Sequence, residues 1–282
     1  MSQQPKASPE FTAFSAIVKR LSPWFVGIAI YGLVVGLVVQ YVPVKFAEFG
    51  AEASFANSIV LGLLLSFRNR AAFDRWWEAR SLWGQLINET RNLAWKIRGA
   101  LPEELIHQQR LAAILTGFAV ALKNHLRGKT TLQQTPGFEN DAAQPNHVPA
   151  YLAGQILTGI SNWQRDGFID GMTAWRLDPH ACALLNICGG CERIRHTPIS
   201  RSYVFMLRMG IVLNILIAPW MSMQVIGLWG IPVILLIGFF LLGVESIDSE
   251  VEEPFGIGVD DLKLERYCET IRKSVEDILE GK

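Results

Sequence analysis

The side chains best equipped for chemistry cluster late in the chain. Cys188 and Cys191 form a C-x-x-C, and Cys182, His180 and His196 are close by in sequence. Structural zinc asks for four converging ligands. A dithiol redox centre belongs in a thioredoxin-like βαβ setting, and no strand pattern surrounds this motif. Buried structural cysteines are therefore expected, and a membrane-bound metal-dependent enzyme is the rival reading. There is no glycine-rich phosphate loop, no H-E-x-x-H and no nucleophile elbow. No cofactor is expected. A formal net charge of +0 gives no electrostatic footprint for nucleic acid.

A second pattern carries no ionisable group. Ser58–Arg80 reads SIVLGLLLSFRNRAAFDRWWEAR, apolar until Phe67 and then abruptly basic and aromatic, with nothing to break a helix. Ile59, Leu63 and Phe67 are four apart. Each such step drifts by only about 40° around a helix, so the three side chains make one near-axial stripe, with Gly62 and Ser66 beside it. Taken alone, the stripe is an ordinary packing face or the lining of a constriction.

The elements that must position these residues are all helical. Half of the 282 residues are hydrophobic, mean hydropathy is +0.24, and the apolar residues are clumped. Phe25–Val44 has no charge in twenty positions, enough at about 1.5 Å per residue to cross a hydrocarbon core. Ahead of it, Pro9–Leu21 places Phe11, Phe14, Ile17, Val18 and Leu21 on one side, as in a helix lying on a membrane or packed on the protein. After a connector at Lys45–Ala53, Ser54–Phe67 is apolar but too short to span unaided if Arg68 marks the membrane edge. Tyr203–Val244 predicts a hairpin of spans, about 203–221 and 225–244, turning between Pro219 and Gly230. Arg208, the only charge inside it, is expected to snorkel to the interface, with pairing inside the bundle as the alternative.

Between and after these segments the sequence is amphipathic. Leu82, Leu86, Leu93 and Ile97 repeat at helical spacing, and Glu103–Arg127 carries Leu111, Ile114, Leu115, Phe118 and Leu122 on one face. Gly128–Pro149 reads as a loop or mobile connector. Tyr151–Trp163 and Pro179–Ile194 are further helices, and the tail ends in a helix with Tyr267, Ile271, Val275 and Ile278 inward. Trp83 follows this helical period and is expected to pack. Trp76 and Trp77 serve as interfacial anchors or as packing. Residues 68–129 hold eleven Lys and Arg, whereas the 219–230 turn holds none. Positive-inside counting places both termini and the large middle region in the cytoplasm.

Several motifs together resemble the bestrophin family of ion channels. They are Phe67-Arg68-Asn69 with Arg75-Trp76-Trp77-Glu78-Ala79-Arg80 and Leu82-Trp83-Gly84-Gln85-Leu86; Gly190-Cys191-Glu192-Arg193-Ile194 with Thr197-Pro198-Ile199 and Tyr203; and Glu252-Glu253-Pro254-Phe255-Gly256 with Asp260-Asp261-Leu262. The resemblance covers nearly the whole chain, in the family's order. It implies an all-α integral membrane protein of one domain over residues 1–282, with four membrane helices (about 25–44, 54–67, 203–221 and 225–244) and cytosolic helices over about 68–200 and 245–282. It further implies a homopentamer in a bacterial inner membrane that passes monovalent ions through one central pore.

The resemblance assigns Ile59, Leu63 and Phe67 to three stacked neck rings and places a second aperture at Met172, with Thr173 next. Animal relatives conduct chloride and some bacterial relatives select cations, so the sign of the ion stays open on the sequence. A non-conducting scaffold or sensor is a further alternative. In animal bestrophins an acidic run after the Pro-Phe-Gly turn helps to bind calcium. Here Glu252, Glu253, Asp260 and Asp261 are the corresponding candidates, but the dense run is missing. Calcium prefers six to eight oxygens, so these four are expected to act as structural caps and solvated surface.

Overall fold

The computed structural model describes residues 9–41, 47–101, 105–128 and 130–280. Among them every regular element is helical. In chain order these are α1 (Pro9–Tyr41), α2 (Ala47–Ala100), α3 (Leu105–Leu126), α4 (Val148–Arg165), α5 (Gly171–His196), α6 (Arg201–Ile226), α7 (Gly230–Val251) and α8 (Leu264–Glu280), with short 3-10 turns at Leu132–Gln134 and Gly227–Trp229. The chain divides into two units: Met1–Asp74 with Ile199–Glu252, and Arg75–Pro198 with Glu253–Lys282. Helix α2 runs from the first into the second.

In the first unit α1 packs on α6 and α7 through Ile28, Val35, Met223 and Ile234. Leu61 of α2 packs against Leu207 and Ile211 of α6. Among the described residues, two stretches are long and apolar enough to cross a membrane, Ile17–Tyr41 and Arg201–Val251. The second contains the expected hairpin, with Gly227 at φ +59° in its turn.

The expected short helix before the first span is instead continuous with it. Pro23 lies inside α1 and has no N–H for the carbonyl of Lys19, but the Ser22 hydroxyl donates to that carbonyl at 2.9 Å. Val42–Val44 of the expected span and the side chain of Phe11 lie outside the described residues. The connector at 45–53 is helical from Ala47 onward, and the apolar 54–67 stretch is one part of a helix of 54 residues.

Helix α7 also outruns its expected end at Val244. Its last two turns carry Glu245, Asp248 and Glu252 toward the unit's interior, where Arg68 is 1% exposed. Arg68 pairs with Glu245 at 3.2 Å and with Glu252 at 3.6 Å. Among the described residues, Arg68 Nε and Asp248 Oδ2 are buried without a hydrogen-bond partner. Arg208 does not simply snorkel, because its guanidinium also pairs with Glu245, at 2.8 Å.

The second unit is a bundle whose core follows the expected periods. Trp83, Leu86, Leu93 and Ile97 of α2 meet Leu115, Phe118 and Leu122 of α3, Leu152 and Ile156 of α4, and Ile271 and Val275 of α8. The Trp83 ring stacks edge-on with Tyr267, 5.7 Å between centroids. Leu82 is only partly buried and lies where a Cβ on Gly190 would come within 3.0 Å.

Two expectations change in this unit. Residues 130–147 form the expected loop, but it is packed rather than a mobile connector, since Leu132, Thr135 and Phe138 are buried and Gly137 (φ +83°) lies against Ala113. Helix α5 begins at Gly171, so Pro179 lies within it rather than at its start.

The cysteines do not gather with the histidines into a metal centre. Cys188 and Cys191 are buried in the core, while His180 hydrogen-bonds Glu89 at 2.6 Å and meets Lys96 on its other nitrogen. His196 is exposed. Burial, with the nearby Glu192 charge, pushes the Cys188 thiol up to about 12. Burial raises Cys191 as well, with Cys188, Glu192 and Glu78 adding to it. Both thiols hold their protons at neutral pH and are poor nucleophiles and poor ligands.

Two outcomes test this packing. Arg68→Met strands buried carboxylates and should destabilise the detergent-solubilised protein by about 3–5 kcal/mol in thermal unfolding; an unchanged midpoint would mean that the guanidinium is not buried. A maleimide at pH 8 should leave Cys188 and Cys191 unmodified in the folded protein and label them in denaturant, as read by mass spectrometry; labelling of the folded protein would contradict the core described.

Candidate pore-lining site

The apolar stripe of α2 faces away from the rest of its own unit. Ile59, Leu63 and Phe67 are 51%, 55% and 65% exposed, and they cover about 12 Å along the helix axis. The opposite face is tied down. Leu61 is buried, Tyr203 donates to the Leu64 carbonyl at 2.6 Å, and Asn214 donates to the Ser58 hydroxyl at 3.1 Å. Arg68 follows Phe67 by one residue, about 100° around the helix, so its burial turns Phe67 outward. Gly62 and Ser66 are exposed beside the stripe, as are Phe55 and Val60. Uncovered apolar surface is therefore wider than the three residues. One turn on, the face becomes charged: Arg70 and Asp74 pair at 3.8 Å in the open.

Met172 and Thr173 lie in the first turn of α5, within the second unit. Asp170 is the N-cap and accepts from the Thr173 N–H at 2.7 Å. The Thr173 hydroxyl and N–H hold the Asp170 carboxyl below its ordinary value. The cap fixes the turn while Met172, 63% exposed, and Trp175 project outward.

Two of the four acids, Glu252 and Asp261, are used by backbone or by arginine. Glu252 accepts from the Ile199 N–H at 3.1 Å besides pairing with Arg68. Asp261 accepts from the Gly258 N–H, and its carboxylate lies 2.4 Å from where a Cβ on Gly256 would stand, so a side chain there would have to displace that carboxylate. The same turn is gripped by Arg127, which donates to the carbonyls of Phe255 and Gly256 at 3.0 and 2.8 Å. Glu253 and Asp260 are exposed. None of the four belongs to the group of convergent metal-capable side chains found among the described residues, which is His125, His147 and Glu192.

Of the tryptophans, Trp83 is buried, Trp77 is 58% exposed, and Trp76 donates to the Asp260 carbonyl at 3.1 Å. Sequence reasoning missed the carboxylates that hold Arg68. The available signal was their spacing: Glu245, Asp248 and Glu252 recur at three and four residues behind an apolar span, which puts them on one helical face.

The model of the bacterial/fungal bestrophin proteins matches residues 3–277. A voltage-dependent anion channel-forming protein of Nostoc sp. is 32% identical over 95% of this chain and 88% of its own length. One of Synechocystis sp. is likewise 32% identical, over 81% and 78%. In fold, the chain superposes on the crystal structure of a bacterial bestrophin homologue from Klebsiella pneumoniae with a TM-score of 0.84, at 23% identity, covering 91% of this chain and 97% of that one. With a family of channels matched over nearly its whole length, the chain is not an enzyme. It is a membrane-spanning, all-helical member of the bacterial and fungal bestrophins.

Proposed function

We propose that this chain assembles as a homopentamer and conducts monovalent anions passively through a central pore. In this reading residues 1–282 form one channel domain with four membrane helices, 54–67 of α2 being the innermost. The protein sits in a bacterial inner membrane with both termini cytoplasmic. The observation that carries the reading is the uncovered stripe Ile59, Leu63 and Phe67, held outward by a buried arginine on the same helix. The anion assignment is supported by the names of its relatives in Nostoc and Synechocystis.

Five copies of α2 around an axis would stack the stripe into three apolar rings, and the exposed Gly62 and Ser66 would let neighbouring helices approach. A narrow tube of such side chains does not hold a stable water column, so an ion cannot keep its hydration shell there, and a small widening rewets it. The rings have no fixed charge to choose between ions. Met172 and Thr173, on a capped helix start, would form the cytosolic aperture.

The test is recording from purified protein in a planar bilayer under asymmetric KCl, repeated with impermeant counter-ions. Reversal near the chloride equilibrium is expected. Reversal near the cation equilibrium would overturn the anion assignment, and silence from an intact oligomer would favour a non-conducting scaffold. Leu63→Ala or Phe67→Ala should raise conductance, by up to about tenfold if truncation removes about 1.4 kcal/mol of barrier. Parent-like conductance in both variants would remove these residues from the barrier.

A further inference from the structure

Three side chains from three helices of the second unit converge on one point outside the site described above. His125 closes α3, His147 is the N-cap of α4, and Glu192 lies near the end of α5. Both imidazole Nε2 atoms lie against the same carboxylate oxygen, Glu192 Oε1, at 2.6 and 2.7 Å. The two rings are 4.5 Å apart between centroids. The candidate ligand atoms lie within 4.8 Å of one another. The side chains are 26%, 37% and 28% exposed, so solvent reaches the cluster.

We propose that His125, His147 and Glu192 bind a divalent transition metal of the zinc class, with solvent as the fourth ligand. Two imidazoles and one carboxylate are a borderline nitrogen and oxygen donor set, which suits zinc and not calcium or magnesium. Zinc bonds of about 2.0–2.2 Å in a tetrahedron place ligand atoms about 3.3 Å apart, so each N···O separation must open by about 0.6 Å. Cys188 and Cys191 are buried and lie outside the converging group. Of the nearby cations, Arg195 donates to the His125 carbonyl, and Arg127 and Lys123 pair with Glu265.

His147 gives the site a particular proton requirement. Its Nδ1 accepts the Ala150 N–H at 3.0 Å, so the neutral ring carries its proton on Nε2 and donates that proton to Glu192. Metal on Nε2 needs the other tautomer. The Nε2 proton leaves to solvent, Nδ1 takes one up, the ring stays neutral, and Ala150 loses its cap. The metal thus replaces two hydrogen bonds and one helix cap with three coordinate bonds that join α3, α4 and α5.

The experiment is titration of the chelator-stripped, full-length protein in detergent with zinc chloride alone, followed by calorimetry and by elemental analysis after gel filtration. One zinc per chain is expected. His125→Gln and His147→Asn should each weaken binding by more than about tenfold, beyond the lower bound set by loss of an outer-sphere partner. His147→Asn keeps a side-chain acceptor for the α4 N-terminus, and its parent-like elution would show that the loss is local. Cobalt(II) titration of the parent needs no variant, and intense visible bands displaced by zinc are expected of a tetrahedral site. Zinc well below one per chain in the parent, or parent-like affinity in both variants, would overturn the site.

Discussion

The ion pairs of Arg68 set the geometry on which the membrane unit depends. A guanidinium at this depth is costly to desolvate, and only well-placed opposite charges offset that cost. Glu245 and Glu252 supply them from α7, seven residues and about two turns apart on that helix. Once Arg68 is committed to that face, α2 has no rotational freedom left, and the residue before it must point elsewhere. The outward stripe is thus a consequence of a charge that had to be buried, not of any contact made by the stripe itself.

The same constraint explains why α7 continues past its apolar stretch. Glu245 and Glu252 both reach Arg68 only if the helical repeat is kept, and Val251 is the last helical residue before the chain turns. Glu252 then also caps the Ile199 N–H, joining the start of the hairpin to its end. Beyond this point, in the second unit, Gly256 gives way to the Asp261 carboxylate and Arg127 holds the turn's carbonyls.

Periodicity made much of this legible. The core positions Leu86, Leu93, Ile97, Leu115, Phe118, Ile271 and Val275 follow the 3.6-residue repeat and are all buried; the hairpin and the stripe follow from the same rule. Features failed to show where a side chain compensates for a broken rule or where partners are distant. The short helix expected at Pro9–Leu21 runs on into the span through Pro23, where the Ser22 hydroxyl occupies the carbonyl that the proline leaves free. Leu132, Thr135 and Phe138 are too few and too irregular to announce that a polar stretch is packed. His125, His147 and Glu192 lie on three separate elements, and no local spacing relates them. Met172 came from resemblance, and its exposed position at a capped helix start has no signature in a single sequence.

An apolar constriction makes unusual demands on its support. In the proposed pore its side chains have no partner within the subunit, so they do not define their own position, and a small widening separates a dry tube from a wet one. Position must therefore come from the far side of the helix, where Leu61, Arg68 and the hydrogen bonds from Tyr203 and Asn214 act within 58–68. This separates two kinds of residue along one helix. Side chains on the anchored face carry stability, and truncating them disturbs everything that depends on the helix's rotation. Those on the open face contribute little to the fold of the single chain, because they bury little there. In the proposed pore, a change on the open face is for that reason read directly in conduction, whereas one on the anchored face is read first in stability.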